Sequence, residues 1–452
     1  MDGKPQRTEN HIHLTPSSKH HMTIHWHNFV QSGDKPITES SLRERATLVG
    51  RVGLIMLSCG TGAWRVREAM NQIARPLNMT CAADVGLTTI EYSCFERGHH
   101  YSQTLSLPGS GVNTDKLTDI VRFVRQFAAT NLTQTPHQIH DQLDVIEKKP
   151  GNYSPLISGL ASAFACGAFV FLLGGGPVEM LCAFFGAGVG QFSRRLMGAH
   201  KITMMAATAV SVALSCIGYS LLFHILELFT GVADVHEAGY IGAMLFVIPG
   251  FPFITSGLDI VKSDMRSGLE RATFAITVIT IATLTGWLVA MLVDFKPQDF
   301  LPLGLDPTVT LLLRLIASFV GVFGFSLMFN SPYKMAGAAG IVGAIGNTLR
   351  LELVDLASVP AAAAAFLGAL VAGLSAYWCS KKLAFPRISL TVPSIVIMVP
   401  GLYMYRAVYN LGLNNFNVGG SWLIKAALIV VALPLGLATA RILTDPDWRH
   451  SG

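Results

Sequence analysis

Charge is what this sequence has little of. Asp, Glu, Lys and Arg make up 13% of its 452 residues, against about 25% in soluble domains. A chain that is 51% hydrophobic, with mean hydropathy +0.47, reads as a membrane protein. The net charge of +5 is mild, and no basic stripe with interleaved aromatics runs through it, which argues against nucleic acid as a partner. Cysteine is sparse as well. The seven stand at positions 59, 81, 94, 166, 182, 216 and 379 without CxxC spacing, so no disulfide framework is expected and those in apolar runs pack as small hydrophobes. Catalytic motifs are missing: there is no HExxH, no GxSxG and no acid/base pair at a telling spacing. "PGSGVNTDK" lacks the GxxxxGK[ST] spacing of a phosphate loop and reads as a turn. Without a Walker motif, ATP drive is not expected. The chain is therefore read as no enzyme and needs no cofactor.

The first 40 residues contain no apolar core of signal-peptide length. They hold His11, His13, His20, His21, His25 and His27. Since no acidic or cysteine ligands accompany them, the expectation is a disordered tail rather than a metal site. Residues 41–150 read as a soluble α/β domain. Helical periodicity in "SLRERATLVGRVGLIMLSCGTG" and "AWRVREAMNQIARPLN" gives way to alternation in "TCAADVGLTTIEYSCFERGHHYSQTLSL" and then returns to helix.

Beyond Ser154 the apolar runs lengthen. A bilayer core of about 30 Å needs roughly 20 apolar residues per helix. Ten runs qualify, near 154–173, 177–197, 203–226, 238–258, 272–293, 309–329, 333–350, 358–379, 389–411 and 421–441. Lys and Arg gather in alternate loops, among them Arg194, Arg195, Lys201, Lys262, Lys381 and Lys382, whereas the other loops carry Asp234, Glu237, Asp299 and Asp306 with Lys296. That bias predicts cytoplasmic N- and C-termini, with residues 443–452 a cytoplasmic tail. The partners implied are the lipid bilayer and a small molecule. The oligomeric state is open, a homo-oligomer included.

The fourth run is interrupted. "AMLFVIPGFPFITSGLDIVKSDM" (243–265) breaks on Pro249-Gly250 and Pro252 and carries Asp259. Sliding the chain by 151 positions lays "SIVIMVPGLYMYRAVYNL" (394–411) on it, with Pro400-Gly401 over Pro249-Gly250 and Asn410 over Asp259. Each break falls in the fourth helix of a five-helix set, 151–295 and 296–442. Five is odd, so the second set crosses in the opposite sense: an inverted repeat, as in secondary transporters. Proline frees backbone groups that hydrocarbon cannot satisfy, which predicts a polar site between the breaks. The half-helix N-termini suit a carboxylate, and the carbonyls around Leu245 to Ile248 suit an ammonium group.

The expected substrate-binding residues are Pro249, Gly250, Pro252, Ser256, Pro400, Gly401, Tyr405 and Arg406. Arg406 is a guanidinium that would hold a carboxylate through two bonds. Asp259, a carboxylate inside a membrane helix, is the expected proton carrier. Thr255, Asn347 and Thr348 are further polar candidates for the path. The glycine faces Gly186/Gly188/Gly190 and Gly337/Gly340/Gly343/Gly346 read as scaffold for close helix packing.

"PGFPFITSGLDIVKSD" resembles the proline-glycine-x-proline signature, with its downstream aspartate, of the threonine/serine exporter family. "GTGAWRVREAMNQIARPLNM", with Arg65 and Glu68, is similar to that family's N-terminal cytoplasmic segment. "FSLMFNSPYKMAGAAGIVGAIGNTLR" and "FPRISLTVPSIVIMVPGLYMYRAVYNL" resemble its second membrane half. The resemblance covers roughly residues 42–442. It implies proton-driven export of threonine and serine, and relatives split into two chains leave a dicarboxylate such as succinate as the alternative. A membrane-anchored enzyme with a hydrolytic cytoplasmic domain is the reading from another class.

Overall fold

The computed structural model describes residues 24–109, 111–230, 239–295 and 299–449. His11, His13, His20 and His21 of the tail, and Asp234, Glu237 and Lys296 of the loops, lie outside them.

The α/β domain comprises α1 (Leu42–Ser58), α2 (Ala63–Ala74), an antiparallel sheet β1 (Thr80–Val85), β2 (Thr89–Glu96) and β3 (His99–Ser106), then α3 (Thr114–Thr130) and α4 (Pro136–Glu147). The sheet order is β1-β2-β3, with Cys81 opposite Cys94 and Glu96 opposite His99. Capping boxes start α1, between Ser41 and Glu44, and α4, between Thr135 and Gln138, each satisfying otherwise orphaned amides. α1 is the domain's core helix. Its Arg51 is buried and reaches His140, Asp144 and Glu147 on α4. At Gly50 a Cβ would fall 2.2 Å from the Tyr92 hydroxyl, so glycine lets β2 lie against α1. Disorder was expected through residue 40, but residues 24–40 form two short 3-10 turns. Burial of Trp26 and Ile37 holds them to the domain.

The helical bundle follows: α5 (Pro155–Leu172), α6 (Pro177–Ala199), α7 (Met204–Thr230), α8 (Tyr240–Ala243), α9 (Gly250–Val261) and α10 (Met265–Leu292). Then come α11 (Pro307–Met328), α12 (Tyr333–Asp355), α13 (Ala361–Leu383), α14 (Arg387–Val396), α15 (Gly401–Gly412) and α16 (Phe416–Thr444). Six of these helices are long and apolar enough to cross a membrane, and eight spans result if each bent pair counts as one. Of the ten expected, the remaining two are α6 and α12. Both have 23 residues, enough length, but they carry charges such as Arg194, Arg195, Arg350 and Glu352.

α5, α6 and α7 pack in succession, as do α11, α12 and α13; α5 lies against α11, α9 against α16 and α10 against α15. Glycine permits the tightest approaches. A Cβ on Gly186 would lie 2.5 Å from the Ser215 carbonyl oxygen, and one on Gly346 2.8 Å from that of Gly368.

The α/β domain is tied to one end of the bundle. Thr114 N–H donates to Phe329 O (3.1 Å), Leu87 N–H to Glu270 (2.6 Å) and Asn330 Nδ2 to Asn113 Oδ1 (3.0 Å). Arg67 pairs with Asp264.

Candidate substrate site at the helix breaks

The two breaks share one backbone geometry. Pro249 has φ −79° and ψ 56°, and Pro400 has φ −81° and ψ 57°. In each, the glycine N–H donates to the carbonyl two residues back, Gly250 to Ile248 and Gly401 to Val399, both at 2.8 Å. The axes bend by 56° and 48°. The correspondence continues downstream, where Ser263 and Asn414 take φ 64° and 61° and α10 and α16 begin two residues later.

The breaks touch. A Cβ on Gly250 would lie 2.9 Å from the Val396 methyls, and one on Gly401 2.1 Å from Ile248 Cδ1 and 2.9 Å from Leu245 Cδ2. Beside Gly401 the space is about 20 Å³, between Leu245, Ile248, Ile279 and Met404, room for about one water. The contact between the breaks is thus apolar, where a polar hollow was expected.

The larger space is to one side. A cavity of about 690 Å³ is walled by Ile248, Pro249, Gly250 and Pro252 on one flank and by Gln191, Arg194 and Arg195 of α6 on another. Gln191 is buried, and its Nε2 donates to Ser158 Oγ (3.0 Å) while its Oε1 has no partner. Arg195 donates to Ser158 Oγ (3.0 Å) and Met328 O (3.1 Å). The corresponding chain on α12 is closed. There Asn347 Nδ2 donates to Ser318 Oγ (2.9 Å) and Arg350 Nε donates to Asn347 Oδ1 (3.0 Å).

Two sequence profiles match this chain, "Putative threonine/serine exporter" over residues 47–293 and "Threonine/Serine exporter, ThrE" over residues 314–443. The chain belongs to the threonine/serine exporter family. A Mycobacterium tuberculosis protein named "Probable threonine/serine exporter" is 24% identical, covering 91% of this chain and 78% of its own. The "Threonine/serine exporter" of Corynebacterium glutamicum is also 24% identical, over 88% and 83%. A "Probable succinate transporter subunit YjjP" of Klebsiella aerogenes is 24% identical over 56% of this chain and 95% of its own. No solved structure matches.

In this exporter-family chain the residues expected at the site part company. Pro249, Gly250 and Pro252 line the cavity, and Gly401 lines the small space. Ser256 Oγ donates to Gly268 O (2.7 Å), tying α9 to α10. Thr255 bonds back to Phe251 O. The Tyr405 hydroxyl accepts from Tyr240 (2.6 Å), joining α15 to α8. Arg406 pairs with Asp299 at 2.8 Å and stacks on Trp422.

Asp259 is fully buried at the seam with the α/β domain. It accepts from Ala63 N–H (3.0 Å), Ser267 Oγ (2.8 Å) and Arg271 Nε (3.2 Å). Gly62 is required there, because a Cβ would lie 2.4 Å from Asp259 Oδ1. The α2 N-terminus therefore docks on a carboxylate, the sign its dipole favours. Among the described residues no cluster of His, Cys, Asp and Glu could hold a metal.

Sequence reasoning passed over Gln191 and used Arg194 and Arg195 only for orientation. A signal was present: Gly190-Gln191-x-x-Arg194 recurs as Gly346-Asn347-x-x-Arg350, in the second helix of each set.

Proposed function

We propose that this protein is a secondary active exporter of a small hydrophilic amino acid, threonine or serine, driven outward by the proton gradient. The names of its full-length relatives supply the substrate class. The carrying observation is Gln191, which lines the cavity at the first break and keeps its buried Oε1 unsatisfied, while the matched Asn347 is closed off by Arg350.

An amino acid fits that cavity as a zwitterion. Its ammonium meets Gln191 Oε1 and the carbonyls before Pro249; its carboxylate meets Arg194, Arg195 and the positive end of α9. Two inverted five-helix repeats account for the matched breaks, for α9 running toward the α/β domain, and for α15 running away from it to Arg406 and Asp299. The Lys/Arg bias puts that domain and both termini in the cytoplasm. The conformation is then open inward at Pro249 and sealed at Pro400, and alternating access exchanges the two. Asp259 carries the proton in this reading: protonation weakens its hold on Ala63 and Arg271 and frees the bundle to move.

The test loads proteoliposomes with labelled threonine or succinate and imposes a pH gradient. Threonine efflux that rises with the gradient is expected. Efflux of succinate alone would replace the substrate, and efflux indifferent to the gradient would remove the proton. Asp259→Asn should abolish gradient-driven efflux and leave counterflow exchange.

A further inference from the structure

A second and larger cavity, about 940 Å³, lies at the seam of the α/β domain and the bundle, walled by α2, α3 and the adjoining ends of α13, α14 and α16. It shares no residue with the cavity at Pro249. Seven Lys or Arg side chains face three Asp or Glu in its lining.

Arg65, Arg387 and Arg441 come to it from three separate elements. Arg441 is 3% exposed, with its guanidinium carbon 5.3 Å from the Trp64 ring centre and 5.1 Å from that of Trp448. Its Nη2 is buried without a hydrogen-bond partner. Arg387 donates to Thr444 Oγ1 (2.7 Å) and Gly373 O (2.8 Å), which leaves Nε unpartnered. Arg65 stacks on Trp64 at 4.8 Å, and its Nε is buried and unpartnered too. Ion pairs among the described residues engage Arg45, Arg51, Arg67 and Arg271, but none engages these three.

Glu68 and Asp445 in the same lining are the nearby acids, yet neither forms a contact ion pair with the three arginines, and buried guanidinium groups left without such a partner are costly. Cation–π contact with two indoles offsets part of that and holds the Arg441 fork in place, but it does not satisfy the N–H groups. Donors arriving from three elements suit a tetrahedral group with three or more acceptor oxygens better than a planar carboxylate with two. The volume lies in the range of small-molecule sites.

We propose that this chamber binds a small phosphate-bearing anion, held by Arg65, Arg387 and Arg441. Such a ligand joins α2 of the α/β domain to α14 and α16 of the bundle, so its occupancy sets how firmly the domain is docked. The phosphate belongs either to a soluble metabolite or to a lipid headgroup at the membrane boundary.

The test uses the full chain in maltoside detergent free of phospholipid. Thermal unfolding is followed with inorganic phosphate or with short-chain phosphatidylglycerol, each against sodium chloride at equal ionic strength. A ligand that binds only the folded state raises the midpoint with its concentration. The expected result is such a rise in wild type, with the half-maximal concentration at least tenfold higher in Arg441→Gln and in Arg65→Gln. Arg65→Gln removes a less buried side chain and serves if Arg441→Gln fails to fold. A response to free phosphate identifies a soluble ligand, and a response to the lipid alone identifies a headgroup; either supports the site when the variants lose it. If neither compound exceeds chloride, or if the variants respond as wild type does, the proposal is overturned.

Discussion

Arg271 Nε lies 3.2 Å from Asp259 Oδ2, and both side chains are almost wholly withdrawn from solvent. The pair is a junction. Arg271 also donates to Thr61 O (2.9 Å), while Asp259 accepts from the Ala63 amide, so two bundle helices clasp the turn that opens α2. Removing one partner of a buried pair leaves the other uncompensated, at about 3–5 kcal/mol. Asp259→Ala and Arg271→Gln should each lower the unfolding midpoint strongly. The double variant should fall well short of the sum, since the losses share one network. A double-mutant cycle on thermal unfolding checks this, and additivity would refute the junction.

Gly401 allows the two breaks to cross. Gly401→Val places branched carbons where Ile248 and Leu245 already sit, and overpacking of this kind costs about 1–3 kcal/mol. Gly420 has no neighbour within 4 Å of an added Cβ, so Gly420→Ala is the control. The first variant should lower both midpoint and transport rate, and the second neither.

Gln191→Leu deletes the unpartnered acceptor at the cavity while roughly keeping side-chain volume. Transport of threonine should fall at least tenfold, with a change in stability below about 1 kcal/mol, because only the Ser158 bond is lost. Asn347→Leu breaks a closed chain with Ser318 and Arg350 and should cost more stability. Flux and unfolding measured side by side separate the two.

His140 supplies a pH dependence. Burial, followed by the nearby Arg51 charge, pushes its imidazole down to about 3 from an ordinary 6.5. The unfolded state therefore binds a proton that the folded state refuses throughout that window, and stability falls as pH drops from about 6.5 toward 3. His140→Gln should flatten the slope of midpoint against pH there. An unchanged slope would assign it to other groups.

The bundle was readable from the chain to the extent that its signals are local. Apolar run lengths located the helices, including the two that are less apolar. Pro249-Gly250 and Pro400-Gly401 announced breaks that the backbone adopts with nearly identical dihedrals. The short turns at residues 24–40 were missed because Trp26 and Ile37 carry no periodicity of their own; their burial needs the surfaces of α1 and α4. The site was less legible. Asp259 was marked out as a carboxylate inside a membrane helix, but its burial and its partner amide at Ala63, 196 residues away, were not legible.

By itself, then, the sequence determined class, breaks and spacing, since hydrophobic length and the missing proline N–H act within one segment. Which break opens onto a hollow, which arginine forms an ion pair and which is left without one were decided only by the tertiary structure. A buried charge or amide takes its state from what packs against it, and here those neighbours come from helices remote along the chain.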